Sequence, residues 1–126
     1  MKTNWSKSWV RSIQPRKQKK YVHKAPLHIK RKLLGAPLSK DLQKEYKKRS
    51  ISVRVGDTVK IITGQFKGKM GKIEKVNIRT SRINIKGADQ VKSNGQISPY
   101  PIHPSNIVII TPNLSDKKRK EAINRK

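Results

Sequence analysis

The 126-residue sequence carries 32 Lys or Arg against 7 Asp or Glu, a formal net charge of +25, and only 33% of its residues are hydrophobic, which is enough for one small core and not for two. It has no cysteine, so disulfide frameworks and thiolate metal sites are excluded. Residues 1–16 hold no apolar run of the kind found in signal peptides, and no stretch approaches the roughly 18 apolar residues of a membrane span.

The charge is unevenly distributed. Residues 1–50 contain 16 Lys/Arg and 2 acids, residues 51–112 contain 10 and 3, and residues 113–126 contain 6 and 2. This divides the chain into a basic N-terminal arm with two short helices (1–50), a central module (51–112) and a basic C-terminal tail (113–126). Charge this one-sided repels itself unless a polyanion neutralises it, and extended basic arms can follow phosphates that a globular face does not reach. The expected class is a soluble, intracellular, nucleic-acid-associated protein.

In chain order, the first feature is the basic cluster Pro15-Arg16-Lys17-Gln18-Lys19-Lys20, with Trp5, Trp9 and Tyr21 near it. Arg16, Lys17, Lys19 and Lys20 are candidate phosphate contacts. The rings can stack on unpaired bases or pin the arm to its own domain, and the sequence leaves both open. Between Pro26 and Pro37, a proline at the first turn and Gly35 just past the end bracket a short helix with Ile29 and Leu33 on one face. Ser39 signals a second helix, with Asp41 in its first turn and Leu38, Leu42 and Tyr46 at helical spacing. Both helices are expected to rest apolar edges on the central module and turn basic edges outward.

Residues 51–111 read as strands. Val53/Val55, Val59/Ile61 and Ile83/Ile85 alternate with polar neighbours, and the continuous Ile107-Val108-Ile109-Ile110 suits a strand covered on both faces. Turn signals stand between them, and Asn94-Gly95 suggests a type I′ hairpin. Four or five strands in this length leave no room for crossover helices, which predicts a small antiparallel barrel. Residues 115–126 form either a frayed helix started by Ser115 and Asp116 or an arm.

Groups suited to catalysis are scarce. The seven acids form no evident pair, and His23 and His28 lack the spacing of helical metal ligands. No catalytic residue, metal or cofactor is expected, and His103 reads as a structural hydrogen-bonder or an RNA contact. The stretch from Gly64 to Lys72 is not a nucleotide-binding P-loop, because Gly64 and Gly68 are one residue too close, Met70 replaces the Ser/Thr, and a strand follows. Its glycines turn the backbone and present Lys67, Lys69 and Lys72 from a tight loop, which suits contact with a phosphodiester backbone.

The run Gly56-Asp57-Thr58-Val59-Lys60-Ile61 through Gly64-Gln65-Phe66-Lys67-Gly68-Lys69-Met70-Gly71-Lys72-Ile73 to Val76 resembles the KOW motif. That motif alone leaves ribosomal proteins and transcription-elongation factors open. Pro101-Ile102-His103-Pro104-Ser105-Asn106-Ile107 resembles the P-I-H-x-S-N-V signature of the large-subunit ribosomal protein family L24, called L26 in eukaryotes. Ala25 to Lys32 and Pro37 to Leu42 resemble its archaeal and eukaryotic branch, and the uninterrupted Lys69-Met70-Gly71 and short C-terminus look archaeal. Two features depart from the family pattern: Gly87-Ala88-Asp89-Gln90 in place of a G-V-T run, and Trp5 with Trp9 at the N-terminus.

The resemblance implies a mainly β fold, a small SH3-like KOW barrel with short helices and basic extensions. It also implies a structural constituent of the cytoplasmic large ribosomal subunit that binds the 5′-terminal region of large-subunit rRNA, acts early in assembly and sits near the polypeptide exit tunnel. Its implied partners are that rRNA and neighbouring ribosomal proteins, with no small-molecule substrate. The matched positions carried over as rRNA contacts are His28, Lys30, Arg31 and Lys32 of the first helix and Lys67, Lys69 and Lys72 of the loop. The competing expectations are a polymerase-binding elongation factor, a small basic ribonuclease using His28 or His103, and a DNA compactor.

Overall fold

The structure, a computed structural model, describes residues 5, 6, 8, 9 and 12–125. Three helices, α1 (Pro15–Lys24), α2 (Leu27–Leu33) and α3 (Lys40–Tyr46), precede the main sheet, and α4 (Lys117–Asn124) follows it. The strands are β1 (Gly35–Pro37), β2 (Ser50–Ser52), β3 (Thr58–Ile61), β4 (Met70–Asn77), β5 (Arg82–Ile85), β6 (Asp89–Val91), β7 (Ile97–Pro99) and β8 (Ile107–Thr111), the last preceded by a 3₁₀ turn at Pro104–Asn106.

The main sheet is antiparallel in the order β5-β4-β3-β8, and two-stranded ribbons β1-β2 and β6-β7 flank it. Its inner face follows the period-two pattern: Val59, Ile61, Ile73, Ile83, Ile85, Ile107 and Ile109 are each at most 2% exposed. Burying side chains of this kind stabilises by about 1.5–3 kcal/mol each, which makes this layer the main source of cohesion. Leu34, Ala36 and Leu38, from the segment joining α2 to α3, lie in the same core. A reciprocal pair of hydrogen bonds, Ile83 N–H to Ile102 O at 2.8 Å and Ile102 N–H to Ile83 O at 2.9 Å, brings the segment before the 3₁₀ turn alongside β5.

Gly71 lies where β4 and β5 pack too closely for a side chain. A Cβ there would run into the Lys86 carbonyl oxygen and approach Ile85 Cγ2 to 2.8 Å. Gly71→Ala should therefore cost about 1–3 kcal/mol in urea unfolding, through forced separation of the strands. A loss below about 0.5 kcal/mol, the scale of an ordinary surface change, would show that they part freely.

The antiparallel sheet expected of the central segment is there, but the described residues make a small mixed domain rather than a mainly β one: helices occupy about as many of them as strands, and no continuous ladder among them closes the sheet into a barrel. Val53 and Val55 do not form a strand. The Arg54 N–H donates to Asp57 Oδ2 at 2.8 Å and the Asp57 N–H to Arg54 O at 3.3 Å, so the chain turns here, leaving Val55 54% exposed. The hairpin around Asn94-Gly95 is not type I′ either, because that turn needs positive φ at both central residues and Asn94 has none. Instead a three-residue loop is closed by Lys92 N–H to Gln96 O and Gly95 N–H to Lys92 O, both 2.9 Å, with Gly95 in the left-handed region.

Among the described residues of the N-terminal 50 there are three helices, where two were expected. The additional one is α1, over the basic cluster, which has no buried residue and so shows no apolar periodicity in the sequence. In α2 the apolar assignment shifts by one position: Leu33 is exposed, whereas Leu34 is buried and leads into β1. The third helix begins after Ser39 as expected, and Leu42 packs against the core. At the C-terminus Asp116 caps α4 by accepting the Lys118 N–H at 3.0 Å, and Arg119 and Ile123 are buried.

Candidate nucleic-acid interface

On α1, Pro15 supplies the first helical position, where its missing N–H costs nothing, and Arg16, Lys17, Lys19 and Lys20 are all exposed. Lys17, Lys20, Tyr21 and Lys24 fall on one face at helical spacing. The Tyr21 ring meets Trp9 at 4.4 Å in a stacked arrangement and Trp5 at 5.1 Å, tilted.

His28, Arg31 and Lys32 of α2 are exposed, but the structure places Lys30 differently. It is 7% exposed, and its Nζ donates to the His23 carbonyl at 2.8 Å. A cation at the end of α1 is favoured by the helix dipole, so Lys30 links α1 to α2.

The loop between β3 and β4 is held from below. Phe66 is buried against Tyr100, with ring centroids 5.3 Å apart, while Gly64 and Gly68 turn the chain at φ of +99° and +88°. Gly68 N–H donates to Ile61 O and Ile61 N–H to Lys69 O, both at 2.9 Å, so the loop is rigid at its base. Lys67 is exposed on this loop, whereas Lys72, expected on it, lies in β4 opposite Thr58 and is exposed there. Lys69 is exposed too, but its Nζ lies 5.1 Å from the Phe66 ring centroid and 3.4 Å from the Gly87 carbonyl.

His103 is half-buried and caps the 3₁₀ turn: Nδ1 accepts the Ser105 N–H at 3.2 Å and lies 2.8 Å from Ser105 Oγ. Burial, and secondarily Arg82, lower its pKa from the ordinary 6.5. The folded state therefore favours neutral imidazole, and the stability this contributes is present above pH 6.5 and is lost as pH falls toward the lowered value.

Sequence reasoning missed a second basic region. Asp57, fully buried, accepts from Arg119 Nη1 at 2.6 Å and Nη2 at 2.8 Å, and from the backbone N–H groups of Arg54 and Asn113 at 2.8 Å each. Arg119 also donates to Asn113 O at 3.0 Å and Ser52 O at 3.2 Å. Arg54 pairs with Asp116, whose pKa is lowered first by that hydrogen bond and then by the Lys118 N–H; Lys48 donates to the Ala122 carbonyl. With α4 fastened in this way, Arg31, Lys48, Arg54 and Lys118 rim a groove of about 340 Å³ floored by Ile51 and Ile123. Only the charge of the tail hinted at this, because the partners are far apart in sequence.

Basic groups thus stand on α1, on α2, on a loop rigid at its base and around a fastened C-terminal helix. Residues 12–126 match the family of ribosomal proteins L26 (eukaryotic) and L24p (archaeal). The chain belongs to that family. The match runs well beyond the KOW motif shared with elongation factors. A relative, large ribosomal subunit protein uL24 of Pyrobaculum islandicum, is 48% identical over 115 residues, covering 91% of this chain and 94% of that protein. The archaeal and eukaryotic branch read from Ala25–Lys32 and Pro37–Leu42 is the one that matches. No helix among the described residues is long and apolar enough to cross a membrane.

Proposed function

We propose that this protein is a structural constituent of the large ribosomal subunit in the cytoplasm, bound to the 5′-terminal region of large-subunit rRNA and to neighbouring ribosomal proteins, near the polypeptide exit tunnel and from an early stage of assembly. The observation that carries this reading is the family match over residues 12–126, joined to a net charge of +25. In the proposed division of labour, residues 51–112 form an SH3-like module in which the Ile83–Ile102 bridge ties the segment before β8 to β5, while residues 1–50 and 113–126 reach out along RNA. The exposed Arg16, Lys17, Lys19, Lys20, His28, Arg31, Lys32, Lys67, Lys69 and Lys72 meet phosphates, which position the protein without reading sequence. Lys30 and His103 support this surface, one by joining α1 to α2 and the other by capping the 3₁₀ turn. The role is non-catalytic and needs no cofactor.

Sedimentation of cell lysate through sucrose gradients at moderate and then high salt, followed by immunoblot, tests the proposal. The protein should co-migrate with large subunits in amounts comparable to other ribosomal proteins. Migration at the top of the gradient under both conditions would overturn it and direct attention to polymerase.

A further inference from the structure

Trp5, Trp9 and Tyr21 floor a shallow groove of about 320 Å³ whose rim carries Lys17, Lys20 and Lys24. All three rings are only half-buried, although a cluster serving solely to pin the N-terminal segment onto α1 would cover them. The indole N–H of Trp5 is shielded from water and has no hydrogen-bond acceptor among the described residues. Among the described residues that line the groove three are cationic and none is acidic, which favours an anion at its rim. Its size falls at the low end for small-ligand clefts of about 300–1,000 Å³, too small for a folded element.

We propose that this groove receives one unpaired nucleotide, its base lying against the Trp5, Trp9 and Tyr21 rings and its flanking phosphates among Lys17, Lys20 and Lys24. The inference rests on the proposed rRNA-binding function and adds a recognition mode to it. A nucleobase with its phosphates matches what the groove offers: a flat π-face for the rings and an adjacent anion for three ammonium groups one helical turn apart. A paired base offers no free face, so the groove discriminates single-stranded from duplex RNA.

Both tryptophans of the chain stand in this groove, which makes tryptophan emission a site-specific reporter. The full-length protein is titrated with a single-stranded adenosine hexaribonucleotide, with an RNA duplex of equal length and with inorganic tripolyphosphate. Saturable quenching by the single strand is expected, with an apparent affinity about tenfold above that for the duplex. Tyr21→Leu should weaken it by about tenfold while leaving tripolyphosphate binding unchanged. A Lys17→Gln/Lys20→Gln/Lys24→Gln variant, which leaves the rings intact, should weaken both. Equal quenching by tripolyphosphate or duplex, or no effect of Tyr21→Leu, would overturn the proposal. Filter binding of a 5′-terminal rRNA fragment on the same samples separates the two ideas: fragment binding without quenching removes the groove alone, and loss of both removes the rRNA-binding reading with it.

Discussion

Asp57→Asn is expected to lower the unfolding free energy by about 3–5 kcal/mol, the usual cost of leaving a buried charge without its partner. The carboxylate is fully buried and accepts four hydrogen bonds, two from the Arg119 guanidinium in a parallel fork and two from the backbone. An amide keeps the shape but removes the negative charge and turns an NH₂ toward groups that are themselves donors. Arg119, 6% exposed, is then an uncompensated cation. Arg119→Leu should cost less, because the carboxylate retains the Arg54 and Asn113 N–H groups, and the double variant should lose clearly less than the sum of the two single losses. Urea unfolding followed by far-UV circular dichroism measures all three. A loss under 1 kcal/mol for Asp57→Asn, or strict additivity in the cycle, would mean that the pair does not hold α4 to the turn before β3.

The same pair shows where the sequence stopped being legible. Gly56-Asp57 reads as a turn, and the turn is there, but nothing local says that its carboxylate is the anchor for a residue 62 positions away. The tail contains six Lys/Arg, alike as sequence, and burial singles out Arg119 only once the sheet is folded. Lys30 follows the same logic: it stands between His28 and Arg31, both exposed, and turns inward because α1 ends above it with a free carbonyl. Strands betray themselves more readily, since Val59/Ile61 and Ile83/Ile85 must alternate to bury one face. Val53/Val55 shows the weakness of that signal, because two alternating residues are too few to tell a strand from a turn shaped by an aspartate side chain. The helix α1 left its mark not in hydrophobicity but in Pro15 at its start and in the spacing of Lys17, Lys20, Tyr21 and Lys24.

Affinity for an isolated 5′-terminal rRNA fragment should fall by about 10³–10⁵ between 50 and 200 mM monovalent salt, the range expected when 6–10 phosphates are neutralised and their counterions released. The exposed cations of α1, α2 and the β3–β4 loop are sufficient in number for this, and their distribution over separate elements means that no single substitution abolishes binding. Lys67→Gln/Lys69→Gln/Lys72→Gln should reduce the slope of log K against log salt by about one per lysine that meets phosphate, weakening binding without changing which RNA is preferred. Lys69 is expected to contribute least of the three, because its ammonium already faces the Phe66 ring and the Gly87 carbonyl. Lys30→Gln should behave in the opposite way: little change in slope, but a loss of thermal stability, since its charge acts on the end of α1 and not on RNA. Filter binding across a salt series reads the slope, and thermal unfolding of the free protein reads the second effect. A salt-independent affinity would remove phosphate neutralisation as the mechanism, and a full-sized slope change on Lys30→Gln would return that residue to the RNA-facing surface.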